Sequence, residues 1–192
     1  MSASDFTKYM IAEGTKTLLL NREFHEITVS DIAKQCEINR NTFYYHFKDK
    51  YDVVDWIFYS ESKSIQDKMK DFNYFSDGLL ELLRYMKKNR AFYIKVLRDE
   101  GQNCFSQTFT KFIVRLIKGY LERLDANHNV EEEVIMTISH FYAYGFTGVI
   151  LEWANAGMKT DPERKINLIK NLFYSKIKVY FNTKKETPDM LS

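Results

Sequence analysis

The sequence has few of the residues that end helices or form tight hairpins. It contains two prolines and seven glycines in 192 residues. Because proline interrupts helices and glycine supplies most tight turns, these low numbers argue against an all-β sandwich or barrel. The composition favours an all-α fold.

Cysteine and excess charge are also scarce. Cys36 and Cys104 do not have the spacing of a disulfide framework, so we expect a reducing, cytoplasmic environment. The net charge is +2, from 28 basic and 26 acidic residues, so any contact with nucleic acid must be local. The N-terminus has no apolar secretory core, and the apolar stretch 141–151 is too short for a membrane span. We therefore expect no membrane partner.

Motifs for catalysis and cofactor binding are missing. The chain has no dinucleotide-binding glycine motif, P-loop, nucleophile elbow or His-Glu-x-x-His. The acidic run 131–133 lacks the Glu-x-x-His of a helical di-iron site, and Cys104, His128 and His140 lack the spacing of zinc ligands. We expect neither an enzyme nor a bound metal or cofactor.

Apolar residues recur three and four positions apart along most of the chain, which indicates helices. The predicted helices cover residues 6–21, 28–35, 40–47, 51–71, 79–89, 91–99, 105–124, 130–156 and 162–182. Gly14 is a small inner position of the first helix. The spacing changes character near residues 45–50, so we divide the chain into residues 1–50 and residues 51–192, with residues 51–71 as a connecting helix.

Two short helices meeting at a brief turn are the most informative feature. Thr28 and Asp31 form the pattern of a capping box, and Asn39 is suited to cap the next helix. Phe43 and Phe47 are four positions apart and face the core, so the polar residues around them point outward. This arrangement is typical of a helix-turn-helix whose second helix enters the DNA major groove. By spacing alone, an ordinary helical corner fits about as well.

The outward residues have suitable chemistry for DNA. Arg40 can donate two hydrogen bonds to guanine, and Asn41 can pair with adenine. Hydroxyl, imidazole and ammonium groups around them suit phosphate oxygens, which fix the register of a protein on DNA. The predicted DNA-binding residues are Thr28, Asn39, Arg40, Asn41, Thr42, Tyr44, Tyr45, His46 and Lys50.

The stretch TVSDIAKQCEINRNTFYYHFKDKYDVVDWIF resembles the helix-turn-helix and following helix of tetracycline-repressor-like (TetR family) transcriptional regulators. It has the family's inner Ile32-Ala33, the run from Thr42 to Phe47 and the following Lys50. The resemblance covers residues 8–58 and implies that Arg40 and Asn41 read bases in a palindromic double-stranded operator. It implies a helix-turn-helix DNA-binding domain over residues 1–50 and a helical regulatory and dimerisation domain over residues 51–192. Glycines often found in the family's two turns are replaced by Glu23 and Glu37.

The last two helices have more apolar surface than one core face needs. The resemblance implies that they form a four-helix bundle with a second copy, and Gly145 and Gly148 allow close approach. The alternative is that both faces are internal core. The predicted dimer-interface residues are Val134, Ile138, Gly145, Gly148, Val149 and Leu172.

Aromatic residues are frequent between positions 75 and 150, and the resemblance implies a ligand cavity among them. Such residues at helical spacing more often form plain core. The candidate ligand-binding residues are Tyr93, Phe109, Tyr142 and Tyr144.

The stretches LLELLRYMKKNRAFYIKVL and FYAYGFTGVILEWANAGMKTDPERK look like a subgroup associated with dihydroxyacetone kinase regulation. Some members of that subgroup activate transcription and some respond to zinc. We expect a homodimer controlled by a small-molecule effector or a co-activator protein. The alternative hypothesis is a helical co-regulator that binds a protein and has lost direct DNA reading. The outward polarity of Arg40, Asn41 and Lys50 favours DNA.

Overall fold

The computed structural model describes residues 2–69, 75–101, 103–125 and 129–186. These residues form α-helices, one short 3-10 helix and no strand, as the composition predicts. The helices are α1 (Ala3–Asn21), α2 (Val29–Gln35), α3 (Arg40–His46), α4 (Lys50–Glu61), α5 (Lys63–Met69), α6 (Phe75–Lys88), α7 (Arg90–Arg98), α8 (Phe105–Leu124), α9 (Glu132–Asn155) and α10 (Pro162–Glu186). The 3-10 helix is Phe24–Glu26.

The predicted helix starts are confirmed by their capping bonds. The Asp31 N–H donates to Thr28 Oγ1 (3.2 Å), and the Thr28 N–H donates to Asp31 Oδ2 (2.8 Å), so the capping box at α2 is complete. The Thr42 N–H donates to Asn39 Oδ1 (2.7 Å) at the start of α3. These bonds satisfy backbone donors that a helix start leaves unpaired. Short-range sequence therefore determines where both helices of the helix-turn-helix begin.

The connecting helix differs from its prediction as one continuous element. It divides into α4 and α5 at Ser62, which is fully buried. The Ser62 hydroxyl donates to the Phe58 carbonyl oxygen, and Gln66 Nε2 donates to Ser62 Oγ (2.6 Å). A hydroxyl bonded to the carbonyl four residues earlier competes with the helix ladder and bends it. The predicted end at Asp71 lies outside the described residues.

A cluster of aromatic rings holds α4 against α8. The ring of Phe58 meets the rings of Phe105, Phe109 and Phe112 edge to face, with centroid separations of 5.2, 6.1 and 5.3 Å. Phe58 and Phe109 are fully buried. Edge-to-face pairs add about 0.5–1.5 kcal/mol each beyond the burial of their area. The cluster joins the helix that follows the helix-turn-helix to the centre of the larger helical part.

The helix-turn-helix packs on α1 through a very close approach at Gly14. A Cβ atom added there would overlap Cys36 Sγ at the end of α2, while Cys36 Cβ would lie 4.0 Å away. Cys36 is buried, and its thiol lies 3.5 Å from the Met10 carbonyl oxygen. The predicted small inner position is therefore confirmed, and the Cys36 sulfur is the atom that requires it.

We expect Gly14→Ala to destabilise the wild-type chain by about 1–3 kcal/mol, because the new methyl group has no space beside Cys36 Sγ. In a Cys36→Ala background the sulfur is gone, and the same change should stabilise by up to about 1 kcal/mol because alanine is the better helix former. Urea denaturation of the four chains measures both effects. Equal effects of Gly14→Ala in the two backgrounds would show that the sulfur is not the obstacle.

Candidate nucleic-acid interface

The turn between α2 and α3 has the hydrogen bonds of a Schellman motif. The Ile38 N–H donates to the Ala33 carbonyl oxygen (3.0 Å), and the Glu37 N–H donates to that of Lys34 (3.2 Å). Glu37 has φ of 54°, in the left-handed region. Glycine is the usual residue there because a β-carbon is strained in this conformation. Glu37 thus occupies a position whose backbone favours glycine, whereas Glu23 has φ of −78° and needs none.

Helix α3 is held by its inward side. Phe43 is fully buried and Phe47 nearly so, and their rings lie 6.0 Å apart. Phe47 also meets the ring of Trp56 in α4 (6.1 Å). Because these two positions are fixed in the core, the remaining side of the short helix must face away from the protein.

The outward side of α3 carries the two predicted base readers. Arg40 and Asn41 are exposed, and Tyr45 has 82% of its surface exposed. The Arg40 guanidinium lies 5.8 Å from the centre of the Tyr44 ring, and its Nη2 is 3.4 Å from the Tyr44 hydroxyl. The structure therefore places arginine, amide and phenol groups together on one exposed surface.

The other predicted DNA-contact residues lie around this surface and form hydrogen bonds or ring contacts within the protein. Thr42 Oγ1 donates to Asn39 Oδ1 (3.1 Å), and the His46 ring lies 4.9 Å from that of Tyr45. Thr28 Oγ1 donates to Asp31 Oδ2 (2.6 Å). Hydrogen bonds from Thr28, with Arg22 nearby, lower the pKa of Asp31 to about 2. Thr28 and Asn39 thus cap helices, and the contact of all these groups with DNA stays a prediction.

Lys50 has a different environment from the one expected of a phosphate contact. Its Nζ donates to the carbonyl oxygens of Phe24 (2.7 Å), Ile27 (2.9 Å) and His25 (3.3 Å), and lies 4.6 Å from the Phe24 ring centre. Burial lowers the pKa of Lys50, and the Asp99 carboxylate partly opposes this effect. Lys50 thus ties the start of α4 to the turn before α2. Its contact with phosphate stays a prediction and would require one of these bonds to be exchanged.

The predicted dimer residues lie along one side of α9. Val134, Ile138 and Val149 are half-buried, and Gly145 and Gly148 are exposed with no atom within 4 Å of an added Cβ. Phe141 lies on the same side with 73% of its surface exposed. The side chain of Leu172, in α10, lies outside the described part. We call the row of residues 134, 138, 141, 145, 148 and 149 the α9 stripe.

Helix α9 is also apolar and long enough to cross a membrane by length and composition, although only 33% of its most apolar window is buried within the described chain. This is weak evidence for a membrane, because a helix of a soluble protein passes the same test. Within the described part of the chain, the large apolar side chains of α9 that stay exposed are Phe141 and Tyr144.

The four candidate ligand residues do not meet. Phe109 is buried in the aromatic cluster, and Tyr142 packs edge-on against Phe173 (4.8 Å). Tyr93 lines a cavity of about 360 Å³ beside Glu61, whereas Tyr144 lines a different one between α8 and α9. Aromatic content alone could not separate core rings from cavity walls.

A polar network connects the helix-turn-helix part to the larger helical part. Glu61 of α4 pairs with Lys16 of α1, which also pairs with Glu13 (2.9 Å). Glu61 Oε2 also accepts a hydrogen bond from the Tyr85 hydroxyl of α6 (2.6 Å). Burial and the Glu61 carboxylate raise the pKa of Tyr85, which keeps its hydroxyl a donor to Glu61 at neutral pH.

A second polar contact joins α4 to α8. The Thr108 hydroxyl of α8 donates to Asp55 of α4 (2.8 Å), and burial raises the pKa of Asp55 to about 6.

Family models match two parts of the chain. A model described as "Bacterial regulatory proteins, tetR family" matches residues 11–56, and one described as "Transcriptional regulator C-terminal region" matches residues 73–175. The HTH-type dhaKLM operon transcriptional activator DhaS of Lactococcus lactis subsp. lactis (strain IL1403) is 34% identical over 96 residues, which are 50% of this chain and 51% of that protein. The match thus spans about half the length of that relative.

Solved structures share the fold. A dihydroxyacetone kinase operon activator DhaS has a TM-score of 0.60 and 25% identity, over 90% of this chain and 97% of that one. Thermus thermophilus FadR, a repressor solved with lauroyl-CoA, has a TM-score of 0.59 and 17% identity, over 86% and 92%. Pseudomonas aeruginosa NalD has a TM-score of 0.60 and 13% identity, over 91% and 96%. The last two show likeness of fold alone.

We expect Glu37→Gly to raise the stability by about 1 kcal/mol, because it removes the β-carbon from a left-handed position. For a chain of this length that corresponds to a melting temperature about 2–4 °C higher. Glu37→Ala removes the same charge but keeps a β-carbon, so it is the matched control in thermal denaturation. An equal gain from both variants would assign the effect to charge.

We expect Lys50→Ala to lower the free energy of unfolding by about 2 kcal/mol, because three carbonyl oxygens lose a charged donor. The melting temperature should fall by about 4–8 °C. Lys48→Ala, at an exposed neighbouring position, should leave it within about 1–2 °C. If Lys50 served DNA alone, its loss would leave the melting temperature unchanged and would only reduce the salt dependence of DNA binding.

Proposed function

The chain belongs to the tetR family of bacterial regulatory proteins and is a DNA-binding transcriptional regulator, and we propose that it binds a palindromic operator as a homodimer through α3. The observation that carries the proposal is the exposed surface formed by Arg40, Asn41 and Tyr45 on a helix whose other side is buried. Arginine and asparagine are the side chains that best recognise guanine and adenine in the major groove.

The local charge supports a limited DNA contact. Residues 34–50 contain Lys34, Arg40, Lys48 and Lys50 against Glu37 and Asp49. A net charge of about +2 in this segment neutralises few phosphates, and affinity for DNA depends strongly on the number neutralised. Two copies on adjacent half-sites, about 34–36 Å apart, would double this number.

The α9 stripe supports the second copy. Residues 134, 138, 141, 145 and 148 follow one another at intervals of three and four, the spacing of a helix-packing seam, and Val149 lies four residues after Gly145. Gly145 and Gly148 leave room for close approach of another helix. A symmetric pair would use the same stripe on both copies, as twofold dimers do. Contact through α9 would bury Phe141, which is otherwise a large exposed apolar side chain.

We further propose that a small molecule or a partner protein controls binding. The relative named above is a transcriptional activator of the dhaKLM operon, which supports activation as the mode of this chain too. A signal can act only if it binds one arrangement of the dimer better than another. The network around Glu61 provides a physical connection, since it joins α1, α4 and α6.

The test is selection of bound sites from random duplex DNA with the purified full chain, followed by titration of the selected site at two salt concentrations. We expect a palindromic site bound by two copies. Failure to enrich any sequence would contradict direct DNA reading and would favour the co-regulator alternative.

We expect Arg40→Ala to relax base preference at one position of each half-site, by about 1–3 kcal/mol of discrimination, because a bidentate contact to guanine is lost. Arg84→Ala is the matched control, since Arg84 is also exposed but pairs with Glu163 on α10 (3.0 Å). Repeating the selection with each variant measures the effect. Uniform weakening across all sequences by Arg40→Ala would assign Arg40 to the phosphate backbone.

A further inference from the structure

A groove of about 750 Å³ lies between α8 and α9. Small-molecule sites generally have volumes of about 300–1,000 Å³. One face of each helix forms the walls, from residues 106–115 of α8 and 140–151 of α9. Its size and its position between two long, well-packed helices make it a candidate site for an effector.

The groove has basic groups and no acidic side chain among the described residues that line it. Lys111 and Arg115 lie one turn apart on α8, and His140 faces them from α9. The Arg115 guanidinium is held by the Tyr59 hydroxyl, to which its Nη2 donates (2.6 Å). From residue 105 to residue 121, α8 carries no aspartate or glutamate. An anion is therefore the ligand charge that these walls favour.

Helices α8 and α9 run antiparallel, which determines where the lining side chains lie along the groove. The Thr110 and Thr147 hydroxyl oxygens are 3.1 Å apart, and Lys118 Nζ lies 2.7 Å from Glu132 Oε1. Higher numbers on α8 thus face lower numbers on α9, so Arg115 and His140 share one end of the groove. The other end contains Leu151. Ser106 and Gln107 lie at that end too, and Val114 is next to Arg115, so basic and apolar groups both occur along the groove. A ligand with a charged group and an apolar body matches these walls.

The apolar part of the groove has open space. Val114 and Leu151 are half-buried on its two walls, and Tyr144 has 64% of its surface exposed. No atom lies within 4 Å of a Cβ built at Gly148, so the groove is open beside this residue. Burial of an apolar chain here contributes about 25 cal/mol per Å² removed from water.

We propose that this groove binds an organic oxyanion, a carboxylate or a phosphate carried on an apolar body. Lys111, Arg115 and His140 hold the charged group, and the apolar body lies along Val114 and Leu151. The proposal names the effector class for the regulation proposed above, and its effect on transcription rests on that proposal. Gly148 lines the groove and belongs to the α9 stripe, and Tyr144 lines the groove next to the stripe, so a bound ligand would alter the surface that a second copy contacts.

The test is calorimetric titration of the full chain with octanoate, octyl phosphate and, as the neutral comparison, octanol. We expect at least one of the two anions to have a dissociation constant about tenfold lower than that of octanol, or lower still. A hydrogen bond to a charged group changes a dissociation constant by about this factor. Comparison of the two anions distinguishes a carboxylate site from a phosphate site.

Substitutions locate the site. Lys111→Ala and Arg115→Gln should each weaken anion binding by about tenfold. Lys118→Ala is the matched control, because it removes the same charge from the same side of α8. Lys118 lies outside the groove, and its Nζ pairs with Glu132 and Glu122. Thermal denaturation of each variant confirms folding, and the exposed Lys111 provides a variant with little structural risk.

Equal binding of octanol and the anions would overturn the proposal, as would equal weakening by Lys118→Ala and Lys111→Ala. Operator selection is carried out separately, without any of the three compounds. An enriched palindrome without anion binding would refute the groove ligand and leave the proposed DNA function intact. Anion binding without an enriched operator would support the groove and contradict the proposed function.

Discussion

Burial of Phe43 and Phe47 is the constraint on which the DNA-facing surface depends. A helix as short as α3 has little stability alone, so its orientation comes from packing. Both rings are held in the core, where Phe47 meets Trp56, and the Asn39 cap fixes the start of the helix. With one side fixed, the direction of Arg40 and Asn41 follows from helix geometry. The proposed sequence reading thus rests on two buried side chains, Phe43 and Phe47.

The same core continues into the larger helical part through α4. Phe58 packs on three rings of α8, while Glu61 pairs with Lys16 on one side and Tyr85 on the other. A shift of α8 would therefore press directly on the helix that follows the DNA reader. Because packed aromatic clusters deform little, such a shift moves α4 as a unit. This provides a physical route from the groove between α8 and α9 to α3.

Helix α9 has one side packed in the core and another side that is open. Its inner residues, such as Ala143 and Ile150, are buried, whereas the α9 stripe is largely open. The apolar character that gives α9 the composition of a membrane span is also what a helix between two protein surfaces requires. The groove borders the stripe, so ligand binding and contact with a second copy would be coupled by shared residues rather than by distance.

Local sequence determined the all-α class, most helix bounds and the capping of α2 and α3, because these depend on residues within one or two turns. It also identified the outward residues of α3, since Phe43 and Phe47 define the buried side. Tertiary structure alone decided the three carbonyl partners of Lys50, the bend at Ser62 and the separation of the four candidate ligand residues. Each of these depends on which distant groups become neighbours, and a periodic pattern identifies the inner side of a helix but not the atoms that pack against it.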